Sequence, residues 1–520
     1  CDHLSAEVIW SAPAERSDGG AFDLLNTQTH SEDLPRNDPK GRRRYDHHSA
    51  AAALGTPVAL PVHSKGRILA LLLILALSFT VRALTANFMR AHLNDASWFQ
   101  FGSYGVFDRQ AQDVLDRKQP AFWIADASRT DRIVYPPGYP LWLASIYKLT
   151  GNRSPVAVQY VQMALDSLAV LLVVGIGVSA FGWLVGLTAG GLAALSPLLA
   201  FSGATPNADS PTSWLVLGGA WCLILAARTK SIRWAIASGA LLGLSCWLRL
   251  NPLFLFMPWA VVLAWVVRDA WRKRILEGAA IALSTLLLIS PIVIRNVVIF
   301  YPQIAPTGLG FGWNLWAGIG ETSRGPEFGA PCCDSDMIEQ DRRTMGAAPD
   351  AEIGLYFPEG IRRDRERGRK ALGVIASHPL WFAGVMARRT WGHLKFWGDP
   401  VPNVGSAGIN VTAQKTLPAS RQVGVLGFAV NTLGAIQSVW RTLALPLMLV
   451  GVWLAFRQDK TATWLLLATV VYYLATMAIG HSEIRYGLPM QAILIIFAGL
   501  TVSQLPTLSR RAWARIRTNS

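Results

Sequence analysis

Ten apolar runs, each close to the twenty or so residues needed to cross a bilayer core of about 30 Å, constrain this chain more than any motif in it. They fall at approximately 66–87, 156–181, 183–202, 211–227, 232–248, 251–268, 275–299, 436–456, 461–480 and 485–505. In hydrocarbon a spanning segment has to satisfy its own backbone polar groups, so runs of this length are read as helices. Of the 520 residues, 52% are apolar and only 16% charged, against about 25% charged in soluble domains. The expected fold class is therefore an all-α polytopic membrane protein, not a string of soluble domains.

The basic residues order these spans. With a cytoplasmic N-terminus held by Lys65 and Arg67, ten spans put "RTKSIR" (228–233), "RDAWRKR" (268–274), "RQDK" (457–460) and "RRAWARIR" (510–517) on the same side. The loop "FSGATPNADS" (201–210) on the opposite side carries no Lys or Arg, and two further outer turns hold only Arg249 and Arg485. This is the positive-inside pattern. The net charge of +15 accordingly reads as loops facing anionic lipid and not as a nucleic-acid surface. Residues 1–64 are rich in Ser, Asp, Arg and His and lack an apolar h-region, so they are expected to be a disordered or spurious N-terminal extension. Residues 65–505 form the transmembrane domain, and 506–520 a basic cytoplasmic tail.

Two outer segments, 88–155 and 300–435, are too long to be turns and are expected to carry function. The second contains a basic and aromatic stretch, 369–397, suited to a helix on the membrane surface. Repeated halves, the mark of many secondary transporters, are not visible. Transport of a polar or anionic substrate remains the alternative reading, beside a non-catalytic scaffold.

The first outer segment holds six aspartates, Asp95, Asp108, Asp113, Asp116, Asp126 and Asp131. In "YGVFDRQAQDVLDR" (104–117) helical spacing puts Phe107, Ala111, Val114 and Leu115 on one face. Asp108 lies at the edge of that face, while Asp113 and Asp116 read as solvated. A second cluster, "GHSEIRYGLP" (480–489), crowds His481, Glu483, Arg485 and Tyr486 into one turn before the last span. Charges so close to hydrocarbon tend to be paired or functional, and an Arg fork suits phosphate oxygens. Arg249 and Arg295 also lie near outer ends of spans, which suggests a pocket for an anionic lipid head group.

The glycine-rich "GLGFGWNLWAGIGE" (308–321) lacks the Gly-Lys-Ser/Thr of a phosphate loop. It reads as loop backbone close-packed against a substrate, with Glu321 at its end. "DSD" (334–336) is too short to specify a metal site. Cys222 and Cys246 fall inside apolar runs, and adjacent Cys332 and Cys333 fit neither a spaced zinc pattern nor a disulfide framework. No metal ligand is assigned, and metal dependence is left open. In "RIVYPPGYPLWLASIY" (132–147) the Pro136-Pro137-Gly138 corner ends the acidic segment and Pro140 suits the first turn of a new helix. Leu141, Trp142, Ile146 and Tyr147 are expected along the interface, with Tyr135 and Tyr139 lining a lipid entrance.

Taken in order, the acidic helix, "YPPGYPLWLASIY", "PIVIRNVVIF" (291–300), "GWNLWAGIGE", "ASHPLWF" (376–382) and "HSEIRYGLP" resemble the GT-C glycosyltransferases. The nearest branch is similar to bacterial relatives of the dolichyl-phosphate-mannose protein mannosyltransferases (family 39), and a more distant one to the lipid A aminoarabinose transferase. The resemblance covers roughly 66–505. It implies a bundle of about 10 transmembrane helices (range 10–13) with juxtamembrane helices from the two outer loops. It further implies a polyprenyl-phosphate-linked sugar as donor, membrane lipids as surroundings, and a lipid, glycan or protein acceptor. Nucleic acid is not an expected partner. Transfer would take place at the periplasmic or exterior face of a bacterial inner membrane, with inversion.

In the family an Asp precedes the helix aromatic by four residues, and Ser103 stands at that position here. The catalytic carboxylate expected is therefore Asp108, with Asp95 as the other candidate. Arg485, with Arg295 or Arg249, is the expected phosphate-binding set. His481, Glu483, Tyr486, Glu321, Tyr135 and Tyr139 are expected around the substrate.

Overall fold

The computed structural model describes residues 64–90, 93, 101–118, 122–124, 126–267, 270–303, 305–394, 409–410, 417 and 424–519. All of the expected N-terminal extension except Ser64 lies outside them. The chain divides into residues 13–70, of which 64–70 are described, and a larger unit that takes in residues 71–520.

Helices dominate. They run α1 (Ser64–Arg90), α2 (Phe101–Leu115), α3 (Gly138–Thr150), α4 (Pro155–Phe181), α5 (Trp183–Leu195), α6 (Pro197–Gly203), α7 (Asp209–Thr229), α8 (Ile232–Leu248) and α9 (Phe256–Val266). They continue as α10 (Trp271–Phe300), α11 (Phe311–Gly320), α12 (Asp334–Met345), α13 (Gly360–Ser377), α14 (Pro379–Leu394), α15 (Val425–Gln458), α16 (Lys460–Ile479) and α17 (Leu488–Asn519). The departures from all-α among the described residues are small: a parallel pairing of two two-residue strands, β1 (Ile409–Asn410) and β2 (Ser482–Glu483), and an isolated antiparallel bridge between Gly354 and Phe357.

Seven helices among the described residues, α1, α4, α7, α10, α15, α16 and α17, are long and apolar enough to cross a membrane, and the bent pair α5–α6 makes an eighth. The protein is an integral membrane protein of the expected polytopic class. The remaining expected spans are present as apolar helices but are short. At 1.5 Å per residue, the 17 residues of α8 and the 11 of α9 fall below the bilayer core thickness. The expected span 183–202 is not one helix. It bends by 63° where Pro197, lacking an N–H, starts α6 and the Ser196 hydroxyl accepts from Leu199 N.

The surface helix expected at 369–397 is likewise divided between α13 and α14 at His378–Pro379; residues 395–397 lie outside the described set. The expected tail from 506 continues α17 as helix to Asn519.

Burial sorts the spans. Along α17, residues 490–498 are buried without interruption, which identifies a helix surrounded by its neighbours. Leu72, Leu73 and Phe79 of α1, Leu283, Leu287 and Ile294 of α10, and Val439, Leu449 and Trp453 of α15 are exposed, as lipid-facing side chains are. Where helices meet, hydrogen bonds join them: Trp259 Nε1 donates to Thr469 Oγ1 at 2.8 Å, and Thr501 Oγ1 to Leu447 O at 2.6 Å.

A buried ionic hub links α1, α4 and α7. Asp166 Oδ2 accepts from Arg82 Nε at 2.6 Å, while Oδ1 accepts from Trp214 Nε1 at 2.7 Å and from Ser210 Oγ. Asp166 stands within an apolar run, where an ionisable side chain marks a paired or functional position.

The Pro-Pro-Gly corner positions α3 and, through it, α2. α3 starts at Gly138 directly after Pro137, as the sequence implied. A Cβ at Gly138 would lie 2.5 Å from the Trp247 carbonyl oxygen at the end of α8, so the corner admits no side chain. Its apolar face turns inward. Tyr139, Leu143, Ile146 and Tyr147 are buried with Phe107 and Ala111 of α2, whereas Leu141 and Trp142 are only half-buried.

Gly138→Ala is expected to lower stability by about 1–3 kcal/mol through overpacking, measured as a reduced Tm of the detergent-solubilised protein. Gly191→Ala, where nothing lies within 4 Å of the added carbon, is expected to leave Tm unchanged or slightly raised.

Candidate functional site

At the start of α7, the end of α8 and the turn before α17, opposite charges alternate in a buried row. Asp209 pairs with Arg249 Nε at 2.8 Å and with Arg485 Nη1 at 3.6 Å. Arg485 donates to Glu483 through Nε at 2.5 Å and Nη2 at 3.0 Å, a two-point contact of the kind its planar fork favours. Glu483 faces His481 Nε2 at 3.5 Å, and His481 Nδ1 bonds to Glu321 at the end of α11. Arg389 of α14, fully buried, closes the row at 4.0 Å from Glu321. Tyr486 lies beneath it, its hydroxyl 3.4 Å from Glu483 Oε1 and its ring 5.0 Å from the Arg249 guanidinium.

The local sequence explains the approach of α11 to this turn. Gly318 takes the Gly480–His481 backbone so closely that a Cβ would lie 2.5 Å from Gly480 C. His481 N donates to Asn314 O at 2.7 Å, and Arg389 donates to the Gly318 and Ala478 carbonyls. The glycine-rich motif thus packs its backbone, as expected, but against the turn itself.

The row sets the ionisation of its members. Burial alone would lower His481, yet the Glu321 charge and hydrogen bond, joined by Glu483, lift its imidazolium to about 10. Burial would raise Glu483, but Arg485 and His481 hold it well below the usual carboxylate range.

A second group sits on α2 and α3. Asp108, half-buried, accepts from Tyr147 Oη and from Gln112 Nε2 at 2.9 Å. Tyr147 in turn lies 2.8 Å from Tyr104 Oη. Burial raises the Tyr147 phenol, and its bond to Asp108 raises it further. Asp116 instead pairs with Arg153, Asp131 with Arg129, and exposed Asp126 caps Ser128. Asp95 lies outside the described residues. Ser103 belongs to the first turn of α2.

The structure brings together Arg485, Arg249, Glu483, His481, Tyr486 and Glu321 of the expected set. Arg295 stands apart from these contacts: it donates to Asn296 Oδ1 and Phe122 O and lies 5.1 Å from the Phe122 ring. The entrance role of Tyr139 is corrected. The side chain is fully buried, donates to Gln162 Oε1 at 3.1 Å and meets Phe107 edge-on, because α3 turns that face toward α2 and α4. Tyr135 is half-buried against Phe107 at 4.7 Å.

Sequence reasoning missed Asp209 and Arg389, and it set Tyr147 along the interface, whereas Tyr147 is buried and donates to Asp108. A carboxylate at the first position of a span, in "NADSP", was the available signal for Asp209. Nothing local marks Arg389.

A model of the family described as dolichyl-phosphate-mannose-protein mannosyltransferase matches residues 134–294. No curated protein matches the chain. Among solved structures, the apo oligosaccharyltransferase of Archaeoglobus fulgidus is 14% identical, with 87% of this chain and 52% of that one covered and a TM-score of 0.46. The same archaeal enzyme with an inhibitory peptide and a dolichol-phosphate is 12% identical, with 74% and 44% covered and a TM-score of 0.37. ArnT from Cupriavidus metallidurans, bound to undecaprenyl phosphate, is 13% identical, with 84% and 77% covered and a TM-score of 0.29. This chain thus spans about half the length of the archaeal enzyme at most.

His481 holds its proton more tightly folded (about 10) than at its ordinary 6.5. Its stabilisation is therefore complete below about pH 6.5 and lost as pH rises toward about 10. Tm of the wild type is expected to fall across this window more steeply than that of His481→Gln; parallel profiles would contradict the assignment. Over residues 134–294 the chain is thus similar to the dolichyl-phosphate-mannose-protein mannosyltransferases, the family that the sequence motifs resemble.

Proposed function

We propose that this protein transfers a sugar from a polyprenyl-phosphate donor to a lipid, glycan or protein acceptor at the outer face of a bacterial inner membrane, with inversion at the anomeric carbon. The observation that carries this reading is the convergence of an oriented carboxylate and a buried cationic row at one end of the bundle. Asp108 bonds to Tyr147, which in turn reaches Tyr104, and the buried Tyr139 of the same helix meets Phe107, the residue before Asp108. Gly138 abuts Trp247, two residues before Arg249.

Each Asp108 oxygen accepts one bond, and a carboxylate oxygen has capacity for a second. Asp108 is the proposed general base. It takes the acceptor proton as the acceptor oxygen bonds to the anomeric carbon and the bond from that carbon to the phosphate oxygen breaks. The polyprenyl phosphate leaves with the electron pair and needs positive charge to receive it. The row presents the cations Arg249, Arg485, Arg389 and His481, each set against a carboxylate of Asp209, Glu483 or Glu321. Arg295 bonds only to amide and carbonyl oxygens among the described residues, so its charge is the least compensated of the three expected arginines. Basic joints at the opposite ends of the spans support an outer position for this end.

Asp108→Asn is expected to reduce transfer from an undecaprenyl-phosphate sugar in proteoliposomes by about 10²-fold or more, with undecaprenyl-phosphate binding retained. Unchanged transfer would remove Asp108 from the reaction. Comparing cell-envelope glycans with and without the gene by mass spectrometry identifies the sugar and acceptor.

A further inference from the structure

The adjacent cysteines, without a role in the reading above, meet a third donor in three dimensions. Cys332 Sγ lies 3.7 Å from Asp336 Oδ2, one turn along. The Sγ atoms of Cys332 and Cys333 and a carboxylate oxygen of Asp336 all fall within 4.8 Å of one another. We propose that Cys332, Cys333 and Asp336 form a three-ligand site for a borderline-soft divalent cation of the zinc type.

The donor set fits that chemistry. Two thiolates and a carboxylate select zinc-like ions over the hard cations magnesium and calcium, which prefer oxygen. Metal–sulfur bonds of about 2.3 Å and metal–oxygen bonds of about 2.0–2.2 Å place such donors roughly 3.5–4 Å apart, so small side-chain rotations close the site. Cys333 and Asp336 are exposed and Cys332 half-buried, which leaves an approach for the ion and a fourth position for water or another ligand.

The surroundings tie this site to the charged row. The backbone just before it packs on α11: a Cβ at Gly320 would lie 2.1 Å from the Pro331 carbonyl oxygen, next to Glu321. Between the ligands, Asp334 Oδ1 accepts from Trp313 Nε1 at 3.1 Å, and the Trp313 ring lies 5.1 Å from that of His481. A cation held by Cys332, Cys333 and Asp336 fixes the first turn of α12, and with it the Asp334–Trp313 contact against His481. The ion is a positioning element and takes no part in bond making.

The test is a Cd²⁺ titration of the reduced, metal-free full chain in detergent, followed by the thiolate-to-metal charge-transfer absorption. One cadmium per chain is expected, displaced by Zn²⁺, and unchanged in Cys222→Ala and Cys246→Ala, whose thiols are buried elsewhere. Cys332→Ser and Cys333→Ser are expected to abolish binding while keeping the Tm of the metal-free protein. Asp336→Asn is expected to weaken it at least about tenfold, the loss typical of a mere outer-shell partner. The proposal is overturned by absence of one-to-one binding, by binding that survives both cysteine substitutions, or by an intact mass showing a Cys332–Cys333 disulfide in protein isolated without added oxidant. Because metal binding is read directly, the outcome is independent of whether sugar transfer is detected.

Discussion

Charge that is removed from water has to be answered by charge, and the architecture here depends on that requirement. Asp209, Arg485, Glu483, His481 and Glu321 are buried or nearly so, where a single uncompensated ion would be costly. Alternation along the row solves the problem for each member, and it does so with residues from distant parts of the chain. Glu321 ends α11, Asp209 begins α7, Arg249 follows α8, and the turn at 481–486 joins α16 to α17. Removing one member exposes its two neighbours to the same penalty, so the row behaves as one unit. The tertiary arrangement at this end of the bundle and the electrostatics of the candidate site are a single construction.

Backbone packing makes the row reachable. Gly318 and Gly480 let α11 lie against the turn at van der Waals distance, and Arg389 holds the same junction from α14 through the carbonyls of Gly318 and Ala478. The corner at Gly138 does the equivalent work for α3, seating it on the end of α8. Two glycine contacts thus dock α11 and α3 onto the ends of apolar helices.

Much of this was legible because solvation rules act locally. Apolar runs of bilayer length had to be helices, and the spacing of Phe107 and Ala111 identified the face that α2 buries. The cluster 480–489 announced itself because its charges are neighbours in sequence. Its partners did not, since Glu321, Asp209 and Arg389 reach it only through tertiary contacts that leave no period in the chain. Pro197 and Pro379 each carried the signal of a break, yet hydropathy alone read straight through both. Tyr139 and Trp142 show the limit of an aromatic pattern: composition gives an amphipathic helix but not which side meets protein. Asp95 falls outside the described residues.

The hub at Asp166 has a mechanical consequence. Its carboxylate engages Arg82 of α1 with one oxygen, and Ser210 and Trp214 of α7 with the other. Sliding α1 along α4 by a single turn would separate these ions in a medium that cannot solvate them. The longitudinal register of α1, α4 and α7 is therefore locked. A bilayer thicker or thinner than these helices prefer has to be met by tilting the three together or by deforming the lipid. Because Ser210 adjoins Asp209, any such tilt carries the charged row with it, and hydrophobic mismatch becomes an input to the charged end of the bundle.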